Sequence, residues 1–432
     1  MKPLAVVFWL TIFLSLWPSA RTSGAQGTAI GDPAAEPRDT ISSDSTEGLQ
    51  SMLRNTKTAV LNYSLGAGEL RLQVITGKES RTFHMATGSV LLSSVIALKT
   101  SLQEGAIFDR EAAHRLYKKL IMPALPMLTG KTHLVIIPGQ ITGQIPFETL
   151  VPDTGSDRFM LHDYAISYAV STEALISPGD LPSDYARQKV LAIAPFNMPA
   201  SEKEIMNIKA DHLMGQAASL EGFKRKAGDY AVIHLATYAT LNEPHLAFID
   251  FNPGTGTPGT GNPKAGNPNA GNPGANERKD ASRLFIRDIP ELNLKGVNLV
   301  VLSPCPTNPE SDASIHDLFK AAEAFASAGC PNFITSMWGT NKEITYKISM
   351  KLHQYIHQGY GYAYALQKAR IDYLENPVID ASMKSPANWA GFILIGELNT
   401  TPRSHKIFYY FALAFAVLVV ACILRRKNRN RC

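Results

Sequence analysis

The chain has 432 residues, 45% hydrophobic and 18% charged, enough apolar material for a sizeable core and too much for wholesale disorder. Its formal charge of +5 sits at the ends: Lys2 and Arg21 fall in the first 25 residues and five basic residues fall between Arg425 and Arg431, so the body is slightly acidic and speaks against a nucleic-acid-binding domain. The four cysteines, Cys305, Cys330, Cys422 and Cys432, make neither a disulfide framework nor a zinc pattern, and nothing in the sequence calls for a metal or a cofactor.

In chain order, residues 1–25 read as a signal peptide. Lys2 is the positive start, Leu4 to Trp17 is nearly all apolar, and Ser23-Gly24-Ala25 offers a small-x-small cleavage site. An uncleaved anchor is the alternative. Residues 26–45, rich in Ala, Ser, Thr, Pro and Asp, read as a flexible leader to a body spanning 46–398. Ala59–Leu65 and Glu69–Ile75 flank Gly66-Ala67-Gly68 as a hairpin, and helical patterns follow at Val90–Leu102 and Glu111–Leu120. Short apolar runs suited to buried parallel strands come next, at Thr132–Pro138, Ala165–Ala169, Lys189–Ala194, Ala231–Ala236, Asn298–Ser303 and Asn332–Met337. Helical stretches at Glu202–Gly215, Ser219–Ala227 and Ser314–Ala328 separate several of them. This alternation predicts an α/β fold: a central, mostly parallel sheet with helices on both faces.

Two segments stand apart. Residues 252–280 carry a proline every fifth position, from Pro253 to Pro273, among Gly and Asn, with almost nothing to bury. They read as a solvated insert between two sheet elements, with a partner-binding repeat as the alternative. Ile407 to Leu424 is an uncharged run of 18 residues, about 27 Å as a helix, and predicts a single transmembrane helix. The basic tail 425–432 is then cytoplasmic and the body extracytoplasmic, periplasmic if the host is Gram-negative.

Several stretches resemble the CHAT domain, a caspase-like cysteine peptidase fold. His133–Gly139 with Ile145–Leu150 resembles the family's "LVIVPDG…LPFEAL", and Leu161–Tyr168 its "L..DYAISYAPS". Ile233-His234-Leu235-Ala236-Thr237 resembles "vHLATHG", Leu284–Leu294 "LTAREIAALDL", and Leu299–Cys305 "LVVLSACETG". Ala322–Trp338 and Asn388–Gly396 resemble "ARAFLYAGARSVVASLW" and "YWAAFVLIGD", collinear with the rest over residues 47–397. The resemblance implies a Cys–His dyad with Cys305 at the nucleophile position. It also implies that Ala231–Thr237 and Asn298–Pro304 are neighbouring parallel strands, with residues 238 and 305 just past their carboxyl ends, where α/β folds place their sites.

The chain departs from the family at that place. The expected His-Gly is Tyr238-Ala239, and "CETG" has become Cys305-Pro306-Thr307-Asn308. A cysteine near pKa 8.5 needs a base to reach the thiolate at neutral pH, and a tyrosine near pKa 10 is a poor one. Pro306 removes a backbone N–H from the adjoining turn. His234 lies inside the strand, and reads as structural; His245 and His316 are the other histidines within range, His316 as the exposed start of a helix. Cys305 itself reads equally well as a reactive thiol or a buried small residue. Cys330 reads as packing, with a Cys305–Cys330 disulfide conceivable in an oxidising compartment. Trp338 and Trp389 read as core, and Asn62 and Asn399 head glycosylation sequons if the host is eukaryotic.

Three functional readings stand: a membrane-anchored, catalytically degenerate binding or scaffold module for an unknown protein partner; an active cysteine endopeptidase using Cys305 on a peptide substrate; and a structural envelope protein. Tandem helical repeats, common beside CHAT domains, have no 34-residue period here, so a regulator is expected to be a separate chain.

Overall fold

A computed structural model describes residues 43–66, 68–102, 106–176, 184–242, 246–252, 281–306, 314–339 and 341–398. The signal peptide, nearly all of the leader, residues 253–280 of the insert, the 407–424 helix, the basic tail, His245, Asn399, Cys422 and Cys432 lie outside them. Among the described residues no helix is long and apolar enough to cross a membrane.

Strands β1 (Thr58–Gly66), β2 (Glu69–Ile75) and β3 (Ser80–Ala86) form an antiparallel meander. The first two are the expected hairpin; β3 is an addition, an exposed edge strand with too little apolar alternation to stand out. Helix α1 (Ser43–Met52) precedes them, and α2 (Ser89–Ser101) and α3 (Arg110–Leu120) follow. Asp109 caps α3 by accepting from the Ala112 amide at 2.8 Å, and Lys118 and Lys119 occupy its last turn, where the helix dipole favours cations. Strands β4 (His133–Ile137) and β5 (Ala165–Tyr168) then join β1 in parallel, wholly buried. The short helices α4 (Met160–Asp163) and α5 (Thr172–Ile176) flank β5.

The second half repeats the pattern: β6 (Val190–Ala194), α6 (Pro199–Met206), β7 (Asp211–Met214), α7 (Leu220–Lys226), β8 (Val232–Thr240), β9 (Phe248–Asp250), β10 (Arg283–Phe285) and β11 (Leu299–Pro306). The predicted helix over Glu202–Gly215 is corrected here. It stops at Met206, and Asp211–Met214 pairs in parallel with the outer side of β6, because that open edge satisfies the segment's backbone groups. Helix α8 (Ile315–Ser327) opens on a capping box, Ser314 and Asp317 each accepting from the other's amide. Then come β12 (Phe333–Ser336), α9 (Lys342–His357), α10 (Tyr362–Glu375), α11 (Pro386–Trp389) and β13 (Phe392–Ile395).

The thirteen strands of the described residues belong to one sheet, in the order β10-β9-β8-β11-β12-β13-β5-β4-β1-β2-β3, with β6 beside β8 and β7 beside β6. The sheet is mostly parallel, as expected, but consists of two opposed parallel blocks. One is β6, β7, β8, β11 and β12; the other is β1, β4, β5 and β13; they meet antiparallel where β12 pairs β13. The connection explains the reversal. One helix returns the chain for a parallel strand, whereas the two helices α9 and α10 deliver it to the opposite end. Helices cover both faces. The main core spans the sheet, and a smaller one under α1 and α5 includes Leu49, Leu53, Val60, Val135 and Leu175.

Candidate functional site

Strands β8 and β11 pair residue by residue from Val232 opposite Leu299 to Ala239 opposite Pro306, which sets Tyr238 directly opposite Cys305. The expected juxtaposition is therefore present, with one correction. Tyr238 and Cys305 do not lie past the strand ends: β8 runs on to Thr240 and β11 to Pro306. The cause is β9, which folds back antiparallel and pairs Ala239 with Ile249 and Thr240 with Phe248. Thr237 adds a side-chain bond to the Asp250 carbonyl at 2.7 Å. The backbone at 239 is thus held in ladders on both sides, β9 on one and β11 on the other, and Pro304 and Pro306 bring no N–H to theirs.

Alternation along a strand places His234, Ala236 and Tyr238 on one face, and the partners in register at 301 and 303 on that same face. Tyr238 is half-buried, its ring 5.3 Å from that of Phe196 just after β6, with the Lys342 ammonium 6.0 Å from its centroid.

Deeper on this face lies a buried polar chain. His234 Nε2 is 3.1 Å from Glu204 Oε1 of α6, and its Nδ1 is 3.0 Å from His353 Nε2 of α9. Ser303 donates to the other Glu204 oxygen at 3.1 Å. Glu204, His234, Ser303 and His353 are all at least 95% buried. With Glu204 as the acceptor, His234 carries its proton on Nε2, Nδ1 accepts from His353, and His353 Nδ1 is left a bare acceptor without a partner among the described residues. Burial, with His234 and then His357 adding to it, holds the His353 pKa well below the ordinary histidine value, so it stays neutral. His234 is accordingly a satisfied structural histidine. Both its nitrogens are engaged, and it sits four residues, roughly 13 Å of strand, before Tyr238.

His316 is exposed in the first turn of α8, in ring contact with Phe319. Cys330 is packing: it is 1% exposed, burial raises its thiol to about 12, and its sulfur donates to the Asn332 carbonyl at 3.4 Å. It is a free thiol, and the Cys305–Cys330 disulfide is corrected. Cys330 precedes the start of β12 while Cys305 is near the end of β11, and Val300 pairs with Phe333, so the two belong to opposite ends of parallel neighbours. Trp389 is core as read; Trp338 is half-buried and donates to the Ala387 carbonyl at 2.8 Å. Asn62 lies within β1, paired on both sides to Gln73 and Ile137, a poor setting for a glycan. Among the described residues no group of three His, Cys, Asp or Glu is placed to hold a metal. Sequence reasoning missed Glu204, His353, Phe196 and Lys342, which only packing brings to this face.

This is a cysteine-bearing position at the paired carboxyl ends of two parallel strands in a large α/β sheet. The CHAT domain profile matches residues 110–397, and the chain belongs to the CHAT family. Strands β1, β2 and β3 lie before the matched region yet extend its sheet. No curated protein matches the chain. Among solved structures, two crystal structures of the Saccharomyces cerevisiae separase–securin complex are similar at 10% identity, with TM-scores of 0.47 and 0.45. They cover 82% of this chain, which spans only 30% and 31% of those chains.

Proposed function

We propose that this CHAT protein is a membrane-anchored binding or scaffold module whose peptidase chemistry has been lost. The observation that carries the reading is the pairing of Tyr238, where the family has histidine, with Cys305. A cysteine nucleophile needs a base to raise its thiolate fraction and an acid to protonate the leaving amine. A phenol does neither well near pH 7. His234 supports the reading, because Glu204 and His353 already engage its ring. Anchoring rests on the uncharged run Ile407–Leu424 and the basic residues after it, which favour a cytoplasmic tail and an extracytoplasmic body.

The test of chemistry is a panel of electrophilic peptide probes and fluorogenic peptides on the full-length protein, with Cys305→Ala as control. No Cys305-dependent labelling or cleavage is expected, since losing a general base alone costs about 10²–10⁴-fold. Turnover that vanishes in the control would show a displaced base and overturn the reading, and His245 would be the first residue to replace. In Tyr238→His/Ala239→Gly, gained cleavage would show that only the dyad was lost. The test of topology is protease accessibility: the body should be protected from added protease only while the outer envelope is intact, and a tag at the carboxyl end should stay protected after it is opened. A body found in the cytoplasm would refute the anchoring.

A further inference from the structure

Above the buried Glu204–His234–His353 chain, the same face ends in a small amphipathic surface that those three residues do not use. Its floor is the Phe196–Tyr238 ring pair, 5.3 Å between centroids and tilted by 58°. At its rim is Lys342, the first residue of α9, with its ammonium 6.0 Å from the Tyr238 ring and no carboxylate within ion-pair reach among the described residues. The Tyr238 hydroxyl likewise has no hydrogen-bond partner among them. A neighbouring lysine is already engaged: Lys203 lies 4.9 Å over the Tyr346 ring and 3.5 Å from Glu343. A phenol without a hydrogen-bond partner and an ammonium without a carboxylate, each among the described residues, thus stand beside a half-buried aromatic floor.

We infer that this surface binds an acidic peptide segment, Lys342 and the Tyr238 hydroxyl taking one side-chain carboxylate while a neighbouring apolar side chain rests on Phe196 and Tyr238. The inference rests on the reading of this edge as a binding site and names its partner's chemistry. A charge-assisted hydrogen bond suits a carboxylate, and the aromatic floor suits an apolar neighbour. Lys203 and Lys347 are already paired with Glu343, at 3.5 and 3.8 Å, which leaves Lys342 as the ammonium without a carboxylate among these three, and one ammonium suits a single carboxylate.

The experiment is a selection of random dodecapeptides displayed on phage against the full-length protein in detergent micelles. The winning peptide is then labelled with fluorescein and its affinity read by anisotropy. Winners are expected to carry Asp or Glu beside a large apolar residue. Replacing that acid by its amide should weaken binding about tenfold. Lys342→Met should weaken it equally, and the two changes together should cost little more than either, the signature of a direct pair. Tyr238→Phe, which keeps the floor and removes only the hydroxyl, should weaken binding several-fold with unchanged thermal stability. Displacement of the peptide by inorganic phosphate at low millimolar concentration would overturn the carboxylate assignment. Winners without an acid, unchanged affinity in Lys342→Met, or fully additive losses would overturn the inference. The loss-of-catalysis reading fails separately, on Cys305-dependent turnover of the fluorogenic peptides, whatever this cycle shows.

Discussion

Two buried ionisable clusters set the behaviour of single residues. Arg370 and Glu148 pair at 3.0 Å with almost no exposure, and Tyr168 donates to the second Glu148 oxygen at 2.7 Å. Two further Arg370 nitrogens have no partner among the described residues, so the guanidinium depends on this one carboxylate. Glu148→Gln should lose about 3–5 kcal/mol in urea unfolding, because it strands a buried charge; a loss under 1 kcal/mol would mean that the pair contributes little. His133 is fully buried between Thr58 and Ser167, and burial lowers its pKa to about 3. His133 and His353 both stay neutral when folded, whereas the unfolded chain protonates them near pH 6.5. Their contribution is therefore full above pH 6.5 and declines as the pH falls toward the folded values, each by about 1.4 kcal/mol per unit. Urea melts at pH 7, 6 and 5 should show this decline, and His133→Asn should flatten it by about one proton. An unchanged slope would place the titration elsewhere.

At the scale of elements, the seam between the two parallel blocks is the point of greatest constraint. Just after β13, Gly396 has φ of 118°, and a Cβ there would come within 2.5 Å of the Pro331 carbonyl oxygen. Its amide donates to the Tyr168 carbonyl at 2.8 Å, and the next amide, of Glu397, donates to Asn332 at 2.7 Å. The Glu397 carboxylate then accepts from the Tyr362 and Ala363 amides, 3.1 and 2.6 Å away, at the start of α10. One short segment thereby ties β12, β5 and α10 together. Gly396→Ala should cost about 2 kcal/mol or more, from left-handed strain and the clash combined. A thermal melt within a degree of the wild type would show that the seam can shift to accept a methyl group.

For the whole molecule, the long insert is a question of chain entropy. Strands β9 and β10 pair from Phe248 opposite Phe285 to Asp250 opposite Arg283, and the Phe251 amide donates to the Ser282 carbonyl at 2.8 Å, so the segment between them leaves and re-enters at one place. Replacing residues 253–280 by a four-residue Gly/Ser turn shortens the loop by roughly three halvings. At about 0.6 kcal/mol each this should stabilise the fold by about 2 kcal/mol and raise Tm by a few degrees. A lower Tm would mean that the insert makes contacts the folded body needs. The same deletion should leave acidic-peptide binding unchanged, since Tyr238 and Lys342 lie on β8 and α9.

The sequence by itself determined the class of fold, the positions of β4, β5, β6, β8, β11 and β12 to within a few residues, and the meeting of Tyr238 with Cys305. Those features are local or nearly so: buried parallel strands need continuous apolar runs, and a family resemblance orders them. Edge strands were less visible. In the sequence β7 looks like the end of a helix, because an edge strand buries few side chains and its identity comes from the free edge of β6. The reversal at β13 was not legible, since it follows from two helices packing where one would have kept the sheet parallel. The Glu204–His234–His353 chain depended on tertiary structure altogether. Its members are 30 and 119 residues apart, and no periodicity marks a polar side chain whose partner arrives from a distant helix. His234 could be judged structural from its place in the strand, but what satisfies it was decided only when α6 and α9 closed over that face of the sheet.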